Sequence, residues 1–491
     1  MKRRQVILLG FIIVLALGLR LIGIDSREIQ YDDAFSIFLS QQTLDNIIKG
    51  TAADTMPPLF YFVLHFWQTL GSEIFFLRLL GVIFSIAILV ISFDLVKRIY
   101  GSPAGLWTAF FIAIAPIHIY HSQDIRMYTL LVLGQITYFW FFLRIFVKPD
   151  PHENKYFFWV GLVISGTIAM YSHNLAIFGL VVANLYLVIK RSWQALGHLI
   201  GGQFFIGLAT LPWLIMVPEQ FEKIQRAFWT PRPGILEIFQ AVIQFTANLP
   251  VKGVLLPIVA ILSGQILILV VLATWRNRRQ SHGSDWIVAI AVLLPLLLFV
   301  VSYLVRPVFV ARGFLVASLA YYGLIGSVVA KGSKHGVGIF TGAAYITAVA
   351  ISLPSFYTFN EFPRSPYRDA MDNLRVMSSP SDLIVHDNKL SYFPSYFHAP
   401  DLAQSFLADE PGSHNDTFAL GSQEAMNIHP EKDIQAAVEG WERIFFVVFR
   451  GALTEYQQQN QTHPPLTWLT QNYRFVERHI YQDLFIYRFE K

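Results

Sequence analysis

Residues 8–38 read LLGFIIVLALGLRLIGIDSREIQYDDAFSIF, and the fold is decided by how this stretch is parsed. From Leu8 to Ile24 it is apolar and close to the roughly 20 residues that a helix needs to cross a bilayer. Just past that run come two adjacent carboxylates, Asp32 and Asp33, set among aromatic residues. An ionisable group at membrane depth costs about 2.5–3.5 kcal/mol or more, so paired acids at the edge of a span call for a functional reading as well as a solvated one.

The rest of the chain agrees with a membrane solvent. Of its 491 residues 54% are hydrophobic and only 14% charged, too apolar for one soluble globule of that length. The 42 Phe, 21 Tyr and 11 Trp suit helices that pack in lipid and anchor at its interfaces. Cysteine is absent, which excludes disulfides, thiolate catalysis and cysteine-held metals. A net charge of +4 spread along the chain gives no nucleic-acid surface. MKRR precedes the first apolar run and no small-residue cleavage site follows it, which predicts a retained anchor and not a signal peptide.

Windows of about twenty apolar residues predict eleven spans, near 5–24, 73–96, 104–120, 126–147, 156–172, 174–190, 198–218, 251–273, 285–304, 313–330 and 337–353. Every second connection carries cations: Lys2, Arg3 and Arg4, then Lys97 and Arg98, Lys148 and Lys155, Lys190 and Arg191, Arg276 with Arg278 and Arg279, and Lys331 with Lys334. The positive-inside rule makes these the cytoplasmic side. The outer side then holds the long loop 25–72, HIYHSQDIR, the turn YSHN, the segment 219–250 and RPVFVAR.

Beyond residue 354 the composition turns polar and the apolar runs shorten to strand length: DLIVHD at 382–387, RIFFVVF at 443–449, and FVERHIYQDLFIYRF at 475–489, two strands around a Gln-Asp turn. With helices expected near 366–378 and 431–440, the division is a membrane domain over 1–353 and a soluble α/β domain over 354–491. An odd number of spans puts the second outside.

The predicted outer face gathers Asp32, Asp33, Asp54, Asp124, Arg126, His173, Arg306 and Arg312 near span ends. Acids that take a proton and guanidiniums whose planar fork fits phosphate make the set an enzyme needs when it moves a group from a lipid phosphate. Plainer readings stand beside this one. Arg306 and Arg312 can snorkel to headgroups, Arg126 can pair with Asp124, one of Asp32 and Asp33 can cap a helix starting near Ala34, and His65, His118 and His121 read as packed or interfacial side chains.

The ordered set YDDAFSIF, DTMPPLFYFVLHFW, FFLRLLGVIFS, SQDIRMYTLLVL, YSHN and RPVFVARGFL resembles the GT-C glycosyltransferases of the protein O-mannosyltransferase and aminoarabinose transferase type, glycosyltransferase family 39. The resemblance covers residues 1 to about 330; the tail from 354 resembles no family. It implies a polytopic GT-C membrane protein that transfers a sugar from a polyprenyl-phosphate donor to a lipid, protein or glycan hydroxyl outside the cytoplasmic membrane. The implied reaction is a single inverting displacement. Asp32 takes the place of the family's catalytic Asp, and Asp33 stands where a Glu is usual. Met56 replaces the cation that family members carry before Pro-Pro, so the donor phosphate falls to Arg126, Arg306 and Arg312. SQDIRMY matches the acid-x-Arg-x-Tyr pattern and adds Asp124 and Tyr128. No cofactor is expected, although relatives among the oligosaccharyltransferases hold a divalent cation with acids in these loops, which would make Asp32, Asp33 and Asp124 its ligands.

A transporter or flippase of lipid-linked glycans is the alternative. It would place binding groups at mid-membrane within repeated halves, whereas no repeat is visible and Asp94 is the one charge read as lying within a span. In the tail, Asp382, His386, Asp387, His398 and His414 read as surface and loop residues without metal spacing.

Overall fold

Each of the eleven apolar windows is helical in the computed structural model, which describes residues 3–218, 220, 232–249, 251–277, 282–332, 336–358, 365–413 and 415–491. Arg278, Arg279, Lys334, His414 and most of 219–231 lie outside the described residues. Among the described residues eight helices are long and apolar enough to span a membrane, and Ser102–Ile114 with Pro116–Ser122 makes a ninth span that bends by 60°. The remaining two windows are Lys155–Ser172 and Asn174–Ile189. Four further helices lie between spans among the described residues: Tyr31–Ser40, Leu44–Ala53 and Leu59–Gln68 in the first long loop, and Ile235–Ala247.

The chain divides into two compact units. One is helical and takes Met1–Ile24 with most of Thr55–Glu361. The other joins the loop Asp25–Asp54 to Phe362–Lys491.

The bend in the helical unit follows from Pro116. Proline has no N–H for the carbonyl of Ile112, and it forces the preceding residue out of the helical region; Ala115 is extended at φ −64, ψ 115. The carbonyls so released are buried and need donors. Arg20, fully buried, supplies them: its guanidinium donates to the carbonyls of Ile112 at 3.1 Å and Ala113 at 2.9 Å, and to Ser85 Oγ at 2.8 Å. Arg20 and the likewise buried Arg78 are span residues that the charge reading above passed over. Arg78 donates to the carbonyl of Ile24 at 2.6 Å, and Gln123 Nε2 to those of Arg20 and Ile22 at 2.9 and 3.2 Å. The end of the first helix and the turn after Ser122 are thereby tied together. Asp94, in contrast, is a local ion-pair hub: its carboxylate accepts from Arg98 at 2.7 Å, Lys97 at 3.3 Å and Trp140 Nε1 at 2.9 Å.

The second unit is built on a five-stranded sheet of order β2-β1-β3-β5-β4, with β1 Asp382–His386, β2 Gln404–Phe406, β3 Arg443–Phe449, β4 Arg474–Tyr481 and β5 Leu484–Glu490. β1 runs parallel to β2 and β3, with Leu383 opposite Ile444; β5 is antiparallel to β3 and β4, with Tyr481 opposite Leu484 across the Gln482–Asp483 turn. RIFFVVF is apolar without alternation because both faces of β3 are covered. Ile444, Phe446 and Val448 face Leu469, and Phe445 and Val447 face Met371 and Leu374 of the Tyr367–Met377 helix. The helix expected over 431–440 is shorter, Ile434–Ala437: Asp433 caps its start and a turn over 438–440, with Gly440 at a positive φ of 83°, ends it.

Replacing Arg20 by Met removes its donors from four buried acceptors, Ser85 Oγ and the carbonyls of Ala16, Ile112 and Ala113, and a buried acceptor left unsatisfied costs about 1–3 kcal/mol. We expect Arg20→Met to lower the unfolding midpoint of the purified protein sharply. Arg4→Met, at the start of the same helix, serves as control; equal midpoints for the two variants would show that Arg20 does not hold the bend.

Candidate functional site

The predicted site residues fall into two groups by unit: Asp32, Asp33 and Asp54 in the sheet unit, and Asp124, Arg126, Tyr128, His173, Arg306 and Arg312 in the helical one.

In the first group the helix begins earlier than the capping argument expected, at Tyr31 with Gln30 as N-cap, not near Ala34. Asp33 is therefore the third helical residue, and its carboxylate accepts from the backbone N–H of Gln30 at 3.4 Å, the reach-back half of a capping box. Its side chain is buried, with 2% of the residue exposed. Asp32, one position earlier, is exposed, and its carbonyl accepts from Ser36 Oγ at 2.8 Å. Both acids lie in the first turn, where the helix dipole favours negative charge. Of the two, the capping role falls to Asp33. Asp54 is the C-cap of Leu44–Ala53 and is half-buried.

In the second group the Pro116 bend delivers the short helix Pro116–Ser122 and the turn that follows it. Gly81 makes room for that turn, since a Cβ there would meet the Ser122 carbonyl oxygen at 2.5 Å. His121 Nδ1 lies 2.9 Å from Asp124 Oδ2, and both side chains are nearly buried. A carboxylate accepts only, so the imidazole proton sits on Nδ1. The His121 ring stands 5.3 Å from Tyr128, whose other neighbours are His173 at 6.2 Å and the Arg312 guanidinium, 5.7 Å above its ring. The last is a cation–π contact that fixes one arginine over the tyrosine. His173, in the turn after Ser172, accepts from Leu175 N at 3.1 Å through Nδ1, which puts its proton on Nε2. Burial, with the positive charges of Arg312 and Arg126, pushes its pKa down to about 3. Arg126 stands two residues from both Asp124 and Tyr128 in the chain, and Arg312 lies over the Tyr128 ring.

Asp124, Tyr128, His173, Arg126 and Arg312 are thus brought together, and Arg306 lies six residues before Arg312 on the same connecting segment. His121 was read as a packed histidine and belongs with them; its i, i+3 spacing to Asp124 was the available signal. His118 is packed as expected, its Nε2 2.8 Å from Ser318 Oγ. Asn174 was also missed. It donates to the carbonyl of Thr55 at 3.0 Å and accepts from Trp213 Nε1 at 2.8 Å, holding the start of TMPP, where Thr55 has a left-handed φ of 67°. Among the described residues no three His, Asp or Glu side chains gather as a metal would require.

The helical unit also contains a cavity of about 720 Å³. Its walls are apolar and include Phe245, Val270, Pro295 and Phe299, together with Phe309 and Phe314 from the segment that carries Arg306 and Arg312.

Comparison with solved structures places this architecture. ArnT from Cupriavidus metallidurans in the apo state superposes with a TM-score of 0.65 at 12% identity, over 98% of this chain and 97% of that one. The chain has the GT-C fold. The same ArnT bound to undecaprenyl phosphate gives a TM-score of 0.62 at 12% identity over the same shares of both chains. The oligosaccharyltransferase AglB from Archaeoglobus fulgidus, in complex with an inhibitory peptide and a dolichol-phosphate, gives 0.55 at 12% identity over 99% of this chain and 74% of that one. Residues 55–216 match the family model of dolichyl-phosphate-mannose-protein mannosyltransferases. This match begins at Thr55, past Asp32 and Asp33. No curated protein sequence matches the chain.

The depressed pKa of His173 has a sign that can be tested. The unfolded chain binds the proton near pH 6.5 and the folded one only near 3. The neutral ring therefore stabilises the fold fully above about pH 6.5, and this contribution is lost as pH falls from there toward about 3. His173→Asn keeps a capping acceptor and removes the titration. It should flatten the acid-side slope of stability by up to about 1.4 kcal/mol per pH unit, measured as unfolding free energies at a series of pH values below about 6.5. A slope identical to wild type would mean that His173 titrates normally.

Proposed function

We propose that the chain is a membrane glycosyltransferase that takes its sugar from a polyprenyl-phosphate donor and passes it to a hydroxyl of a lipid, protein or glycan outside the cytoplasmic membrane. The observation that carries this reading is the segment Arg306–Phe314, which bears two guanidiniums and also lends Phe309 and Phe314 to the wall of the 720 Å³ apolar cavity. A polyprenyl phosphate is a ligand of that double character, an anion joined to a long hydrocarbon. Arginine suits the anion through its planar, permanently charged fork, and the cavity suits part of the tail. The GT-C fold and the match over 55–216 point the same way, as do the lipid phosphates bound by ArnT and by the Archaeoglobus enzyme.

In the proposed step the acceptor oxygen bonds to the anomeric carbon as the bond from that carbon to the phosphate oxygen breaks. The acceptor proton passes to Asp32 or Asp33, and polyprenyl phosphate leaves as an anion. Arg126, Arg306 and Arg312 stabilise its growing charge, in the absence of a cation at Met56. Exposure favours Asp32 as the base and burial favours Asp33 as the residue that sets its geometry. Tyr128 holds Arg312 in place, and His173 is kept neutral beside both arginines. A transporter needs a charged group to serve the passage through the membrane, and Asp94 is already bound by Lys97, Arg98 and Trp140.

Asp32→Asn should reduce transfer from a polyprenyl-phosphate sugar by about 10²–10⁴-fold, the range for losing a general base, with donor binding retained. Wild-type turnover in that variant would remove Asp32 from the chemistry. Arg306→Ala combined with Arg312→Ala should weaken binding of polyprenyl phosphate itself by roughly tenfold or more, as expected for lost charge-assisted bonds. Undiminished affinity would place the phosphate elsewhere.

A further inference from the structure

In the second unit the loop 25–54 is attached to the sheet domain by rings, hydrogen bonds and an ion pair. Arg368 donates to the carbonyl of Asp25 at 3.1 Å, and His398 Nε2 lies 3.2 Å from Glu28 Oε2. Phe393, fully buried, meets Tyr31 at 5.1 Å, Phe38 at 5.8 Å and Phe35 at 6.3 Å between ring centroids. Phe38 also meets Tyr396 at 5.6 Å and Phe397 at 6.4 Å. At the next helix Ser422 Oγ donates to the carbonyl of Gly50 at 2.9 Å. Gly50 has no side chain to keep the Leu420–Met426 helix away; a Cβ there would meet Ala425 Cβ at 3.2 Å and Leu39 Cδ1 at 2.5 Å.

The pattern within YDDAFSIF explains why this attachment matters. Tyr31, Phe35 and Phe38 stand at i, i+4 and i+7 and form one stripe of the helix. Each residue turns the helix by about 100°, so Asp32 points about a quarter-turn from the stripe and Asp33 close to its opposite side. Rotating the helix by one residue would bring Asp32 to the direction Asp33 now holds. The rings that fix the stripe therefore fix the azimuth of both carboxylates. Each such aromatic pair adds to the hydrophobic area it buries, and Phe393 makes three of them with this helix alone.

We infer that the C-terminal sheet domain acts on the reaction as the seat of the acid-bearing helix, with Phe393 and Phe38 as positioning residues that set the direction of Asp32 and Asp33. This rests on the transferase reading above and extends it to the C-terminal sheet domain. It accounts for the loop's packing with residues more than 300 positions later in the chain.

The test uses the full chain in lipid nanodiscs and two variants, Phe393→Ala and Phe38→Ala. Phe38 is only half-buried and contributes nothing to the sheet core, so its loss leaves that core intact should Phe393→Ala misfold. Amide exchange over residues 31–40 should quicken by about tenfold, the equivalent of one lost ring pair, while β3 and the Ile74–Tyr100 helix keep their protection. Sugar transfer should lose kcat with the donor KM unchanged, and Phe38→Tyr should restore both readouts. Unchanged exchange over 31–40, equal quickening in β3, or quickened exchange with full kcat would each overturn the inference. A wild-type protein that binds no polyprenyl phosphate and transfers no sugar would sink the transferase reading instead, and the exchange result would still decide whether the rings hold the helix.

Discussion

A fully buried guanidinium that, among the described residues, donates to three carbonyls and a serine hydroxyl holds the helical unit in its bent form. Arg20 can be tolerated there because Pro116 leaves the carbonyls of Ile112 and Ala113 without their helical donors, and a multi-donor fork is the side chain best shaped to serve several acceptors at once. Each feature supports the other. Without the proline the carbonyls would be satisfied within the helix and the arginine stranded; without the arginine the broken helix would expose bare carbonyls to a medium that offers no water. The bend in turn sends Pro116–Ser122 and the turn after it to where His121, Asp124 and Tyr128 meet Arg312 and His173.

The same economy of backbone recurs at the end of the first helix. Carbonyls at and just past its end accept from Gln123, at Arg20 and Ile22, and from Arg78, at Ile24, where the loop 25–54 departs. From there the loop packs with the sheet domain through rings and through the close approach allowed at Gly50. The acids and the arginines are thus supported by different compact units, each with its own packing logic. One is a bundle whose buried cations serve backbone carbonyls, the other a sheet covered on both faces.

Much of the architecture was legible because it rests on local patterns. Apolar runs of sufficient length found all eleven helices, and RIFFVVF and the Gln-Asp turn found three strands to within a residue. Among the described helices between spans, the one at Tyr31–Ser40 was expected from near Ala34, whereas Leu44–Ala53, Leu59–Gln68 and Ile235–Ala247 were missed because they are short and leave no span-length apolar run. At the sites, residue type and order singled out the acids and arginines. They did not reveal that His121 belongs with Asp124, or that Arg20 was a structural cation hidden within a span.

The sequence by itself determined that this chain lives in a membrane, how its apolar segments divide, and which charged residues stand near their ends, since bilayer thickness and helix rise translate directly into run lengths. Only the tertiary structure decided that Asp33 is buried and Asp32 exposed, that Arg312 lies over Tyr128, and that the first loop packs with the sheet domain. Those outcomes depend on contacts between residues tens to hundreds of positions apart, which periodicity does not encode.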